Sequence, residues 1–119
     1  PETVSDEQAA FATIGSIALQ GLRLADPKLG EVFLVLGLGL LGQIAVQLLR
    51  ANGCRVIGTD LDPALCELAR VSGAEATADP AALAALCMAR TGGHGVDGVI
   101  VCAGTASNQP IELCAEITR

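Results

Sequence analysis

The sequence predicts an α/β fold: a doubly wound parallel sheet of strand order 3-2-1-4, preceded by an extra N-terminal helix. Three observations predict it. Short runs of strand-forming residues alternate with helical patterns along the chain. The first run, Val32-Phe33-Leu34-Val35-Leu36, is apolar without alternation, as a strand covered on both faces should be. A glycine cluster joins that run to the next helix. Strands joined through helices lie parallel, with right-handed crossovers.

The elements follow in order. Ser5-Asp6-Glu7-Gln8 is a helix start, with Ser5 as cap, Gln8 reaching back and two acids at the positive end of the dipole. The helix continues over Ala9 to Leu24, apolar on most sides and therefore expected to pack against other elements; Asp26-Pro27 and Gly30 end it. After the first strand, Leu41 to Ala51 has helical period, with Leu41, Ile44, Ala45, Leu48 and Leu49 on one face and Asn52-Gly53 as the stop. Arg55 to Thr59 is the second strand, ending at Asp60. Asp62-Pro63 caps a helix that runs to about Gly73. Ala74 to Thr77 is a short third strand, and Asp79-Pro80 starts an Ala-rich helix to about Arg90. Thr91 to Gly95 is a loop, Val96 to Cys102 a fourth strand, and Pro110 opens a last helix with no strand after it. A full sheet of this kind has about six strands, so the C-terminal part is expected to be missing. Starting at Pro1 rather than Met, the chain reads as an internal piece of a longer one.

Composition excludes several functions. The 119 residues make one small domain, 51% hydrophobic, with two Phe and no Trp or Tyr. The core must therefore be built from small aliphatic side chains. A net charge of −6 and a single lysine, Lys28, argue against nucleic-acid binding, as does the lack of stacking rings. No apolar run reaches membrane-spanning length and no signal peptide is apparent, so a cytoplasmic location is expected. Cys54, Cys66, Cys87, Cys102 and Cys114 form no CxxC pair and read as small hydrophobes in a reducing compartment. His94, the only histidine, falls in a glycine loop at the amino end of the fourth strand, away from any expected cleft.

The chemistry is carried by Gly37-Leu38-Gly39-Leu40-Leu41-Gly42, a GxGxxG at the junction of the first strand and its helix. Gly37 permits a sharp turn, Gly39 lets a pyrophosphate approach the backbone, and Gly42 lets helix and strand pack closely. Amides at the helix start then face the phosphates. Asp60 lies 18 positions after Gly42, near the interval of about 20 residues at which an acid grips the adenosine ribose. A carboxylate there repels a 2′-phosphate, so NAD is favoured over NADP. The motif in this setting marks a Rossmann-like dinucleotide-binding domain over residues 1–119. The expected cofactor residues are Gly37, Leu38, Gly39, Leu40, Leu41 and Gly42, with Asp60 and Leu61 after the second strand. Cys102, Ala103, Gly104 and Thr105 join them at the carboxyl end of the fourth strand, where Gly104 allows close approach of the nicotinamide-side ribose. No set of catalytic acids, bases or metal ligands is visible in the chain.

The stretch from Pro1-Glu2-Thr3-Val4-Ser5 to Ala10, the Leu29-Gly30-Glu31 turn, GLGLLG, CRVIGTD and GVDGVIVCAG resemble the medium-chain dehydrogenase/reductase superfamily, in its zinc-type alcohol dehydrogenase and threonine dehydrogenase group. The resemblance implies a cofactor domain beside a separate GroES-like catalytic domain, and hydride transfer between NAD(P) and an alcohol or carbonyl substrate. It implies that Gly37, Gly39 and Gly42 contact the pyrophosphate, that Asp60 holds the ribose, and that the Cys102–Thr105 turn runs along the nicotinamide half. It also implies that the parent enzyme can form a homo-oligomer. One departure puts zinc in doubt. Where zinc members often carry a ligand Cys in a CAGxTxY segment, this chain has Thr13, and a hydroxyl is a poor substitute for a thiolate.

Two other classes share part of the pattern. A non-catalytic NAD-sensing regulatory domain has GxGxxG and the strand-two acid, but usually lacks a long helix such as Ser5 to Leu24. A methyltransferase would need a motif closer to GxGxG.

Overall fold

The computed structural model describes residues 3–119; Pro1 and Glu2, where the family-like opening stretch begins, lie outside the described residues. Four parallel strands form one sheet in the order β3-β2-β1-β4. They are β1 (Val32–Leu36), β2 (Arg55–Thr59), β3 (Ala76–Ala78) and β4 (Gly98–Val101). The helices are α1 (Asp6–Ala10), α2 (Ala12–Ala25), α3 (Leu40–Ala51), α4 (Pro63–Val71), α5 (Leu83–Arg90) and α6 (Gln109–Ile117). The expected order 3-2-1-4 is therefore the observed one.

Every residue of β1 is buried, as its unbroken apolar pattern requires of a strand flanked on both sides. Two apolar clusters cover the two faces of the sheet. One gathers Phe33, Val35, Val56 and the inner face of α3. The other gathers Leu34, Ile57, Leu83 on α5 and Ile117 on α6. The ring of Phe33 packs over Gly98, where a β-carbon would collide with it. An interior almost free of aromatics thus fits one ring by leaving a side chain out on the neighbouring strand.

Several expectations need correction. The first helix is two: the backbone turns at Phe11, and α2 starts there without a side-chain cap. Ser5 and Gln8 do form the reciprocal capping box expected of them. Helix α2 is less enclosed than its apolar composition implied. It packs on α3 and β4 through Ala18 and Leu22, while Ile17 and Leu24 stay exposed. On α3 the buried face is Gly42, Ala45, Val46 and Leu49, rotated about one position from the predicted face. Gly42 causes the rotation, because the bare edge of the helix must meet the strand and its turn. Asp79 caps a turn by accepting from the Ala81 and Ala82 amides at 2.8 and 3.1 Å, so α5 begins at Leu83 rather than Pro80. β3 starts two residues later than expected, at Ala76, and ends one later, at Ala78. β4 is shorter than Val96–Cys102, and Val96 instead forms an isolated parallel bridge with Thr118 beyond α6. Chain therefore does pair after the last helix. Its end is tied further by Arg119, whose guanidinium pairs with the nearly buried Asp97 carboxylate.

The glycine turn fixes how two strand ends meet. Gly37 has φ +91°, and a β-carbon on it would lie 2.5 Å from the Ala103 nitrogen. The exits of β1 and β4 touch, backbone to backbone, only because this side chain is missing. Gly39, by contrast, has φ −64° and nothing within 4 Å of its missing β-carbon.

Two outcomes follow. Gly37→Ala meets both a left-handed backbone and the Ala103 peptide, so it should cost about 2 kcal/mol or more. Gly39→Ala should shift stability by no more than about 0.5 kcal/mol. Denaturant unfolding of the two variants checks the contrast, and equal losses would contradict it. At the opposite pole, Glu75 accepts from Arg55 at 2.7 and 2.8 Å and from Arg90 at 3.2 Å. The hydrogen-bonded Arg55 guanidinium, more than the second arginine, holds the Glu75 carboxyl below its usual value of 4.5. A depressed carboxyl stabilises the fold above that value and loses its contribution as pH falls through the folded pKa. Glu75→Gln should therefore lose stability at neutral pH and converge on the wild type in acid, once pH has fallen through the depressed folded pKa, by a small amount because Arg55 is half exposed. Unfolding curves at the two pH values read the difference.

Candidate functional site

A cleft of about 670 Å³ opens at the carboxyl ends of β1, β2 and β4. This is the crevice where an open parallel sheet changes winding direction, the usual place for a ligand in such folds. Hydrogen bonds carry the strand ladder to its rim: Gly37 N–H donates to the Thr59 carbonyl at 2.9 Å, and Cys102 N–H to the Leu36 carbonyl at 2.7 Å.

The rim is built around the glycine turn. Gly39 is the N-cap of α3 and provides no side chain to bond the first amides of the helix. Those amides have no partner one turn earlier, so the positive end of α3 faces the cleft uncapped. Beside it stands Asp60, directly after β2. Its Oδ2 accepts from the Leu38 N–H at 2.6 Å and its Oδ1 from the Asp62 N–H at 3.0 Å. The carboxylate is thus aimed at the glycine turn by two amides. Asp62 itself caps α4 by accepting from the Ala64 N–H at 2.8 Å, as Pro63 at the first helical position predicts.

Of the twelve residues expected at the site, eight line the cleft: Gly37, Gly39, Asp60, Leu61, Cys102, Ala103, Gly104 and Thr105. Leu38, Leu40, Leu41 and Gly42 do not. The Leu38 side chain is fully buried and fills the notch left by Gly58. Leu40 is exposed, Leu41 is half-buried, and Gly42 lies under the turn beside the Gly37 carbonyl. Of the x positions of the motif, Leu38 thus packs into the scaffold, while the Leu40 side chain is exposed. The Thr105 hydroxyl accepts from the Ser107 N–H at 3.0 Å and shapes the loop after β4.

Other residues of the site are not singled out by the sequence. Leu65 on α4, Pro80 after β3, and Gln109, Pro110 and Leu113 on α6 all line the cleft. Asp62-Pro63 and Asp79-Pro80 read as helix starts, yet they also set which residues reach the crevice. Their common signal is their place just after a strand. Gln43 is buried on the first turn of α3, and its Nε2 donates to the carbonyls of Leu38 and Leu65, both at 2.9 Å. Its Oε1 is buried without a partner among the described residues.

Charge at this end is one-sided. Burial pushes the Cys66 thiol up, and the nearby carboxylates of Asp60, Asp62 and Asp79 push it the same way. Burial also raises Cys102. These thiols stay protonated near neutral pH and offer no ready nucleophile. His94 is exposed in the loop before β4, at the pole away from the cleft. Thr13 is exposed on α2. Among the described residues, no three His, Cys, Asp or Glu side chains come together to hold a metal ion. No described helix is long and apolar enough to cross a membrane.

Comparison with known proteins agrees with this geometry. Residues 41–119 match the family described as zinc-binding dehydrogenase. D-guloside 3-dehydrogenase of Escherichia coli is 34% identical over 109 residues, covering 89% of this chain and 31% of that protein. Alcohol dehydrogenase TADH from Thermus sp. ATN1 superimposes with a TM-score of 0.90 at 27% identity, covering 100% of this chain and 36% of the other. The quinone oxidoreductase of Thermus thermophilus, solved also with NADPH, gives a TM-score of 0.79 at 33% identity, covering 95% of this chain and 38% of the other. The chain spans about a third of the length of these relatives. A matched family over most of the chain, a shared fold and a glycine turn facing a carboxylate lead to one assignment: the chain belongs to the zinc-binding dehydrogenase family, within the medium-chain dehydrogenase/reductase superfamily.

Proposed function

We propose that this chain is the NAD-binding domain of an alcohol dehydrogenase-like oxidoreductase, and that it orients the nicotinamide for hydride transfer to or from an alcohol or carbonyl substrate. The observation that carries the proposal is the Asp60 carboxylate hydrogen-bonded to the turn that leads into the uncapped start of α3, with Asp60 and Gly39 both lining the cleft. A dinucleotide needs both parts. The diphosphate needs unpaired amides with a favourable dipole, and the ribose needs a carboxylate to accept from its hydroxyls.

The residues present fit that ligand. Gly39 leaves open space where a β-carbon would intrude on a phosphate. Leu61, Leu65 and Pro80 offer apolar walls beside Asp60, suited to an adenine ring. The loop from Cys102 to Thr105 lies at the other end of the cleft, where the nicotinamide half would run. When bound, the cofactor supplies the hydride chemistry; the protein binds it, orients it and shields it from water. Substrate and any metal ligands belong to other parts of the parent enzyme. The family assignment favours an enzyme over an NAD-sensing regulatory domain.

Preference between NAD and NADP rests on charge. One structural relative was solved with NADPH, so the residue after β2 is decisive. Here it is Asp60, with Asp62 beside it and Asp79 close enough to act, like both of them, on the Cys66 thiol. A 2′-phosphate brought against these carboxylates would be repelled, whereas a 2′-hydroxyl can donate to Asp60.

Calorimetry on the full-length protein should show NAD binding well ahead of NADP. Asp60→Asn should weaken NAD by about tenfold to a hundredfold, as expected for hydrogen bonds to a charged acceptor, and should narrow the gap to NADP. Equal affinity of the wild type for the two cofactors would overturn the assignment of NAD.

A further inference from the structure

We infer that Gln43 is a positioning residue for the dinucleotide site: its side-chain amide clamps the Leu38 peptide so that Gly39 and the start of α3 present their amides in the binding geometry. The inference rests on the proposed role of the cleft.

The Leu38 residue is held at three points. Its side chain fills the Gly58 notch, its N–H donates to Asp60 at 2.6 Å, and its carbonyl accepts from Gln43 Nε2 at 2.9 Å. The same Nε2 donates to the Leu65 carbonyl on α4, also at 2.9 Å. One amide group therefore ties the glycine turn to the helix that follows β2. The orientation of this amide is chemically determined. Both neighbours are carbonyl oxygens, which only the NH₂ end can satisfy.

The clamp carries a cost, which is what points to a purpose. Turning Nε2 to the two carbonyls leaves Oε1 buried without a partner among the described residues. An apolar side chain of the same size would remove that orphan acceptor. The Leu65 carbonyl lies within α4, where the helix gives it a second donor. What an apolar residue could not do is hold the Leu38 carbonyl. That carbonyl belongs to the peptide joining Leu38 to Gly39, at the rim of the cleft. Holding it fixes the direction in which the Gly39 amide points.

The test uses Gln43→Leu in the full-length protein, with Gln43→Met as a second donor-free variant should the first not fold. Three quantities are read: melting temperature, NAD affinity by calorimetry well below the melt, and hydrogen exchange across residues 38–42 without ligand. The expected result is NAD affinity weaker by about tenfold, faster exchange across the turn, and a melting temperature within a few degrees of the wild type. Unchanged affinity with unchanged exchange would overturn the inference. So would a lowered melting temperature with unchanged affinity, since that marks a residue of the scaffold alone. If the wild type binds no dinucleotide, the proposed function fails separately, and the exchange measurement alone decides whether Gln43 sets the turn.

Discussion

The hydrogen bond from the Leu38 amide to the Asp60 carboxylate is the interaction on which the site depends. It joins the turn after β1 to the end of β2, two segments far apart in sequence but adjacent in the sheet. Through it, a carboxylate able to accept from a sugar and a helix start able to accept an anion keep a fixed separation. A negative group beside a helix N-terminus is favourable by itself. The fold thus holds Asp60 in place before any ligand arrives, and a bound ribose would share an acceptor that is already oriented.

Close backbone approach is the second constraint. β1 and β4 meet at Gly37 and Ala103, α3 meets the turn at Gly42, and Leu38 meets β2 at Gly58. Each contact uses the missing side chain of a glycine. The rest of the interior follows the same economy, with Ala, Val and Leu on both faces of the sheet and one Phe seated over Gly98. Such a core leaves the strand ends as backbone rather than side chain. A backbone rim suits a ligand that presents phosphates and hydroxyls along its length.

Much of this is legible in the sequence. The unbroken apolar run at Val32–Leu36 marks the central strand, and the glycine spacing with Asp60 marks the crevice. Boundaries are less legible. Asp79 looks like a helix cap, but its side chain closes a turn first. Val96 has the composition of a strand residue, yet it pairs with Thr118 outside β4. The face of α3 differs by about one position from the expected one because hydrophobicity alone ignores how near a glycine can come. Gln43 is invisible for a related reason: in a helical pattern it passes for a solvated residue, and only the tertiary position of Leu38 and Leu65 shows it inside. The x positions of the motif cannot be sorted into ligand-facing and core-facing until the turn is seen.

The central claim is that α3 and Asp60 together hold one dinucleotide. A crystal structure of the full-length protein with NAD tests it most directly. The account predicts the diphosphate against the amides of Gly39, Leu40 and Leu41, and the adenosine ribose donating to Asp60. A dinucleotide seated elsewhere, or a carboxylate bonded only to the Leu38 and Asp62 amides while the ribose lies free, would contradict it.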